Sequence, residues 1–243
     1  SKIKNSKDKI VFSGKFQKGI NRNKNTVTKL LNLLRKNKLL KNQAFKINIK
    51  KNIPHGSGLG GGSSNAADLL NYFNTKMQLR LNKKKLKKIA RKIGFDVPIS
   101  LEKKNTILTG KKDKILRINR KFGLSLLIVY PNINCSTEKI YRNNTKRSFF
   151  NNKYSSLIKN KKKLINFLRS ESNDLEKTAI KIYPRIKRII EFIEAQKDCH
   201  FSRITGSGSA CIGIFSKMKN AIYAKKKIKL RYPKYWCAVS KTI

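Results

Sequence analysis

Apolar residues recur along this chain in separate blocks, some at helical and some at strand spacing. Residues 25–40, NTVTKLLNLLRKNKLL, carry apolar side chains at helical spacing, which predicts an amphipathic helix with Thr26 as its N-cap. Residues 44–53, AFKINIKKNI, alternate apolar and basic positions with a period of two and predict a strand. A glycine-rich stretch follows. SNAADLLNYFNTKMQL then predicts a helix that opens at Ser63 or Ser64, and NKKKLKKIARKIG a basic amphipathic helix closed by Gly94. FDVPIS cannot continue that helix, because Pro98 lacks an N–H and forces the residue before it into extended backbone.

The second half has a different rhythm. LSLLIVYP at residues 124–131 predicts a buried strand, and residues 173–196 predict one or two helices with Pro184 in or between them. SRITGSGSACIGIF reads as strand, glycine-rich turn and strand. KNAIYAKKKIKL reads as a helix and YWCAVS as a last strand. The order strand, helix, strand, strand, helix, strand is that of the ferredoxin-like split βαβ unit. A boundary near Lys121 is therefore expected, with domains over residues 1–121 and 122–243. Residues 144–163 carry the weakest pattern and read as a mobile surface segment.

Composition adds bounds. The 243 residues suffice for one large or two small cores. No apolar run approaches the roughly 18 residues of a membrane span, and the first residues lack the apolar core of a secretory signal. Cys135, Cys199, Cys211 and Cys237 form no CxxC pair, and there are two histidines, so reduced thiols in a cytoplasmic protein are expected rather than a zinc site. Lys and Arg number 59 against 12 Asp and Glu, a formal charge of +47. That balance suits nucleic acid. It also suits an AT-rich coding bias, since Lys, Asn and Ile are all abundant and the lysines run along the whole chain. No RNA-binding aromatic motif or zinc finger accompanies them. The expectation is of affinity for anionic small molecules, with no specific nucleic acid and no membrane as partner, in a monomer or homodimer.

The glycine-rich stretch is IPHGSGLGGGSSNAADLL, residues 53–70. Gly56, Gly58 and Gly61 satisfy G-x-G-x-x-G between a strand and a helix. The acid that should hold a dinucleotide ribose about twenty residues later is missing, because no Asp or Glu lies between Asp68 and Asp96. A Walker A loop also fails, since no Lys-Ser or Lys-Thr follows the glycines. What remains is a backbone able to approach an anion, free N–H groups at a helix start, and the hydroxyls of Ser63 and Ser64. A flexible hinge is the alternative.

Residues 54–67, P-x-x-x-G-L-G-G-G-S-S-N-A-A, resemble the ATP phosphate loop of the GHMP kinases. The triple glycine most resembles the branch whose acceptor is a cytidine-diphosphate-linked methylerythritol. Three further segments resemble that branch in the same order: IGFDVPIS, NINCSTEKIY and SRITGSGSACIGIF. The resemblance implies an α+β fold of two domains, a ribosomal-S5-domain-2-like N-terminal half and a ferredoxin-like C-terminal half. It implies ATP and Mg²⁺ as cofactors. Pro54, Gly56, Gly58, Leu59, Gly60, Gly61, Gly62 and Asn65 fall on the phosphate loop, with Ser63 or Ser64 reaching phosphate or Mg²⁺. Lys51 supplies a cation near the nucleotide, and Asn25 and Thr26 border adenine. Asp96 is the implied base that accepts the proton of the acceptor hydroxyl; a turn-capping role is its alternative. Thr137 and Tyr141 fall on the cytidine-diphosphate side, with a core role as the alternative for Tyr141. Gly206, Ser207 and Gly208 are expected to line the cleft between the domains, with a tight hairpin free of ligand as the alternative. His55 and His200 are expected to have no role.

The family's opening segments, A-K-[IV]-N-L and G-Y-H, have no counterpart here. The resemblance begins at about the family's third strand, so the expectation is either a further N-terminal segment or its loss. Two rival readings stand beside a kinase of this branch: another GHMP kinase of homoserine or mevalonate type, and a basic RNA-binding protein. A truncated remnant that still binds nucleotide is a third.

Overall fold

The structure, a computed structural model, describes residues 2–3, 7–40, 43–109, 114–145 and 160–243. The chain divides into two units, Ser1–His55 with Gly60–Leu108, and Gly56–Leu59 with Thr109–Ile243.

The first unit is a small sheet covered by helices. β1 (Lys2–Ile3), β2 (Lys9–Ser13) and β3 (Ala44–Lys50) form a sheet of order β1-β3-β2, with β2 parallel and β1 antiparallel to β3. α1 (Thr26–Lys36) buries Val27, Leu30, Leu31 and Leu34, one face at i, i+3, i+4 and i+7. α2 (Gly61–Lys76) adds Ala66, Ala67, Leu70 and Phe73, and α3 (Lys83–Ile93) adds Ile89, Ala90 and Ile93. α4 (Val97–Ser100) completes this core with Val97. The Phe45 ring of β3 meets Phe73 edge-on, centroids 5.1 Å apart. The lysines of α3 lie on its solvent face, while its apolar stripe faces the core.

Three local expectations change here. The cap of α1 is Asn25 and not Thr26: the Asn25 side-chain oxygen accepts from the N–H groups of Val27 and Thr28. α2 opens at Gly61, ahead of both serines, with Gly60 as its cap. Val97, which precedes Pro98, is helical rather than extended. Pro98 sits in the first turn of α4, where its missing N–H leaves no bond unmade, and full burial of Val97 outweighs the steric preference.

β4 (Asn105–Thr109) closes the first unit and pairs with β5 (Lys114–Ile118); the second unit then contains β6 (Ser125–Tyr130), β7 (Cys199–Ile204), β8 (Cys211–Phe215) and β9 (Trp236–Lys241). The order β7-β8-β6-β9, antiparallel throughout, is the ferredoxin-like arrangement expected from the sequence. The helices are α5 (Thr137–Asn143), α6 (Lys161–Ser170), α7 (Asp174–Ile182), α8 (Arg185–Glu194) and α9 (Met218–Arg231). Pro184 therefore separates two helices as the N-cap of α8. α8 comes so close to β8 that a Cβ on Gly213 would lie 2.4 Å from Ile193, which is why the strand carries glycine there. Of the stretch read as mobile, residues 146–159 lie outside the described residues, and residues 161–163 form the first turn of α6, capped by Asn160. No helix among the described residues is long and apolar enough to cross a membrane.

Candidate functional site

The α2 start is built from glycine for a geometric reason. Gly60 has φ +67°, a left-handed conformation that turns the chain from the loop into the helix. Ser64 N–H to Gly60 O, 3.0 Å, is the first intrahelical bond, so the N–H groups of Gly61, Gly62 and Ser63 have no intrahelical acceptor. These groups carry the positive end of the helix dipole. Lys51, at the end of the strand β3, is 7% exposed, and its Nζ would lie 3.8 Å from a Cβ placed on Gly61. Burial lowers the pKa of Lys51, and no carboxylate is paired with it among the described residues. A buried ammonium beside free N–H groups is an arrangement that an anion completes.

Thr26 and Asn25 lie nearby within the same unit. The Thr26 hydroxyl donates to Gly62 O at 2.7 Å, which ties the start of α1 to the start of α2. The Asn25 amide donates to Asn21 O, Arg22 O and Thr28 Oγ1 while its oxygen caps α1. Both side chains line an open groove of about 510 Å³ with Lys24, Thr28 and Lys29. Ser63 is half-buried and Ser64 exposed on the first turn of α2, with Asn65 next to them.

Asp96 stands at the α3–α4 junction. It occupies the N-cap position of α4, yet its side chain makes no capping bond; its backbone oxygen accepts from Ser100. The capping alternative is therefore not realised, and the carboxylate is exposed.

The first part of the glycine loop belongs to the second unit. Gly58 has φ +79°, and a Cβ there would lie 2.1 Å from the carbonyl oxygen of Thr205. Ala210 N–H donates to Ser57 O at 3.0 Å and the Thr205 hydroxyl to Gly58 O at 3.0 Å. The turn that carries Gly206, Ser207 and Gly208 is thus laced to residues 56–58. Ser207, 8% exposed, shares a 2.9 Å hydrogen bond with Thr137 on α5. Tyr141 lies one helical turn beyond Thr137 and is 62% exposed, which excludes the core reading for it. Sequence-predicted residues are thereby gathered in two groups: Lys51, Thr26 and residues 60–64 in one unit, and Thr137, Ser207, Gly206 and Gly208 in the other. Pro54 is buried just ahead of the loop, and Leu59 is half-buried within it.

Several supporting residues escaped the sequence reading. Asn173 caps α7 and donates through its amide to Ile204 O and Gly206 O, 3.2 and 2.8 Å. Glu176 accepts the Ile204 N–H at 2.7 Å, and burial raises its pKa. The pair is an N-x-x-E capping-box pattern whose acid serves β7 instead of its own helix; that spacing was the available signal. Tyr183 accepts the N–H of Ser136, the α5 cap, and so fixes the helix that bears Thr137. No sequence pattern announces that contact.

Other candidate chemistry is structural. His55 bonds to Lys18 O and His200 to Ser216 Oγ. The four cysteines are free thiols, and burial pushes Cys135 and Cys237 up to about 11 and Cys199 to about 12, so they are poor nucleophiles. No group of three or more His, Cys, Asp or Glu among the described residues is placed to hold a metal ion.

Comparison with known proteins gives a consistent answer. The sequence pattern of the GHMP kinases N terminal domain matches residues 25–104, and that of the GHMP kinases C terminal domain matches residues 155–233. The 4-diphosphocytidyl-2-C-methyl-D-erythritol kinase of Pelagibacter ubique (strain HTCC1062) is 37% identical over 235 residues, 97% of this chain and 82% of the relative. A crystal structure of 4-(cytidine 5'-diphospho)-2C-methyl-D-erythritol kinase superposes with a TM-score of 0.71 at 22% identity, covering 95% of this chain and 82% of that one. Homoserine kinase from Cytophaga hutchinsonii superposes with 0.76 at 14% identity, covering 100% and 84%. The fold is therefore shared across acceptors, and identity along the sequence separates them.

Proposed function

The chain belongs to the GHMP kinase family, within its 4-diphosphocytidyl-2-C-methyl-D-erythritol kinase branch, and from that premise we propose the reaction and the residues that carry it. The protein transfers the γ-phosphoryl group of ATP to the 2-hydroxyl of 4-diphosphocytidyl-2-C-methyl-D-erythritol, a step in non-mevalonate isoprenoid precursor synthesis. The observation that carries the donor half is Lys51, a buried residue with no carboxylate partner among the described residues, beside the glycine-started helix α2. The acceptor half rests on the 37% identity to a relative of that name.

Phosphoryl transfer asks for position and for charge to be met as it develops. MgATP, when bound, supplies the phosphoryl group and its metal. The N–H groups of Gly61, Gly62 and Ser63 hold phosphate oxygens, Lys51 offsets their charge, and Ser63 or Ser64 reaches the metal from the first turn of α2. Asp96 takes the proton of the 2-hydroxyl as the new O–P bond forms and the bond between the γ-phosphorus and the β,γ-bridging oxygen breaks, releasing ADP. Thr137 and Ser207 hold the cytidine-diphosphate end, and Tyr141 presents its ring to the base. A basic RNA-binding protein, the alternative suggested by the +47 charge and the ribosomal-protein-like half, has no support from the family match, which favours the kinase reading.

The experiment is turnover with MgATP and the cytidine-linked acceptor, using the complete reading frame, with the product located by phosphorus NMR. Phosphate on the 2-hydroxyl is expected, and Asp96→Asn should lower kcat by about a thousandfold. Absence of transfer overturns the substrate. Retention of near-wild-type kcat in Asp96→Asn overturns the assigned base.

A further inference from the structure

One side chain joins α1 to the segment that carries Asp96. The Lys29 ammonium, on the first turn of α1, donates to the carbonyl oxygen of Ile93 at 2.8 Å. Ile93 is the last residue of α3, and Asp96 follows three positions later. A carbonyl in the last turn of a helix lacks an intrahelical donor and lies at the negative end of the dipole, so a lysine suits it on both counts. The N–H four residues on, that of Val97, bonds to Gly94 O instead, at 3.3 Å. Beyond Asp96 the chain is fixed again by Val97, which is fully buried with Ala90 and Ile93. Asp96 therefore stands between two anchors. One is apolar burial; the other is the bond from Lys29.

That bond matters because it adds a side-chain tie to a junction held by backbone bonds, among them Gly94 N–H to Ala90 O at 3.2 Å and Ser100 N–H to Asp96 O at 3.3 Å. Gly94 is extended, Asp96 makes no capping bond of its own, and Phe95 between them is exposed. Displacement of a reacting group by about 1 Å can cost a hundredfold in rate. Resting on the reading of Asp96 as the base, we propose that Lys29 is a positioning residue for phosphoryl transfer. By holding the Ile93 carbonyl it sets where the Asp96 carboxylate stands, and it does so without touching the acceptor.

Lys29→Met keeps most of the side-chain length and removes the donor. The expected result is a kcat lower by about tenfold, with KM for MgATP and for the acceptor each within about twofold of wild type. Lys29→Arg, which restores a charged donor, should recover most of the rate. In an Asp96→Asn background, Lys29→Met should change kcat little further, because Lys29 acts through the carboxylate. Thermal unfolding of each variant separates lost fold from lost placement, and if Lys29→Met melts below the assay temperature, Lys29→Gln takes its place in every comparison. A raised KM for MgATP with unchanged kcat makes Lys29 a nucleotide contact and overturns the proposal. An unchanged kcat overturns it too, as does an undiminished tenfold loss in the Asp96→Asn background. Failure of the underlying reading has its own signature, since Asp96→Asn would then itself keep wild-type kcat.

Discussion

The start of α2 and the cluster around Thr137, to which the proposed function gives the donor and the acceptor, are made of different material. At α2 the recognition is backbone: a left-handed Gly60, free N–H groups and one buried cation, Lys51. Around Thr137 it is side chain: a hydroxyl pair 2.9 Å apart and an exposed ring on Tyr141. Backbone recognition restricts residue type where the backbone is left-handed, as at Gly60, because a side chain there is strained. Side-chain recognition leaves more latitude, so the acceptor end can change while the donor end stays. The superpositions show the shared fold alone, a homoserine kinase matching it as well as a cytidine-linked one does.

Substitutions at the two ends should therefore fail in different ways. The largest effect is expected at Gly58, where alanine meets both a φ of +79° and a carbonyl oxygen 2.1 Å away. Gly58→Ala should lower stability by about 3 kcal/mol in denaturant unfolding. Gly60→Ala shares the left-handed backbone but meets nothing within 4 Å, and should lose only about 1 kcal/mol. Equal losses at the two positions would show that sterics at Thr205 do not matter.

Next comes Lys51→Met, with KM for MgATP raised about tenfold and kcat less affected. Its stability runs the other way. A lysine desolvated by burial and without a carboxylate partner among the described residues is costly, so the Met chain should equal or exceed wild type near neutral pH. Burial holds the folded-state pKa of Lys51 below 10.5, so between that lowered value and 10.5 the unfolded chain binds more protons. The wild type gains stability as pH rises through that window, and the advantage of the Met chain shrinks there. A Met chain that is less stable at pH 7 would mean that Lys51 has a partner in the folded protein.

Tyr141→Ala tests the side-chain end with the smallest expected change. Its ring is 62% exposed, so stability should move by no more than about 0.5 kcal/mol. KM for the acceptor should rise about fivefold to tenfold, as for loss of one base stack, with KM for MgATP unchanged. An unchanged acceptor KM would remove Tyr141 from the site.

Much of this organisation was legible before the structure, and the misreadings have physical causes. The strand order of the second unit followed from period and turn signals around LSLLIVYP and SRITGSGSACIGIF. Serine is a good N-cap, which drew the predicted start of α2 to Ser63 or Ser64; the tight left-handed turn at Gly60 starts it earlier. Asn25 and Thr26 are both competent caps, and the choice rests on the preceding turn, whose carbonyls at Asn21 and Arg22 receive the Asn25 amide. α5 is short and largely exposed, so its apolar signal is a single buried residue, Ile140. Asn173, Tyr183 and Lys29 act across 31 to 64 residues of sequence, where local pattern carries no information. The acceptor was reachable only through resemblance, because a hydroxyl pair and a tyrosine name no substrate by themselves.

The most direct measurement is kcat/KM with MgATP for three acceptors in parallel: 4-diphosphocytidyl-2-C-methyl-D-erythritol, homoserine and mevalonate. The account predicts a preference for the cytidine-linked acceptor of at least about a hundredfold, since the other two leave the Thr137–Ser207 pair and Tyr141 without a partner. Comparable or faster turnover of homoserine or mevalonate would contradict it.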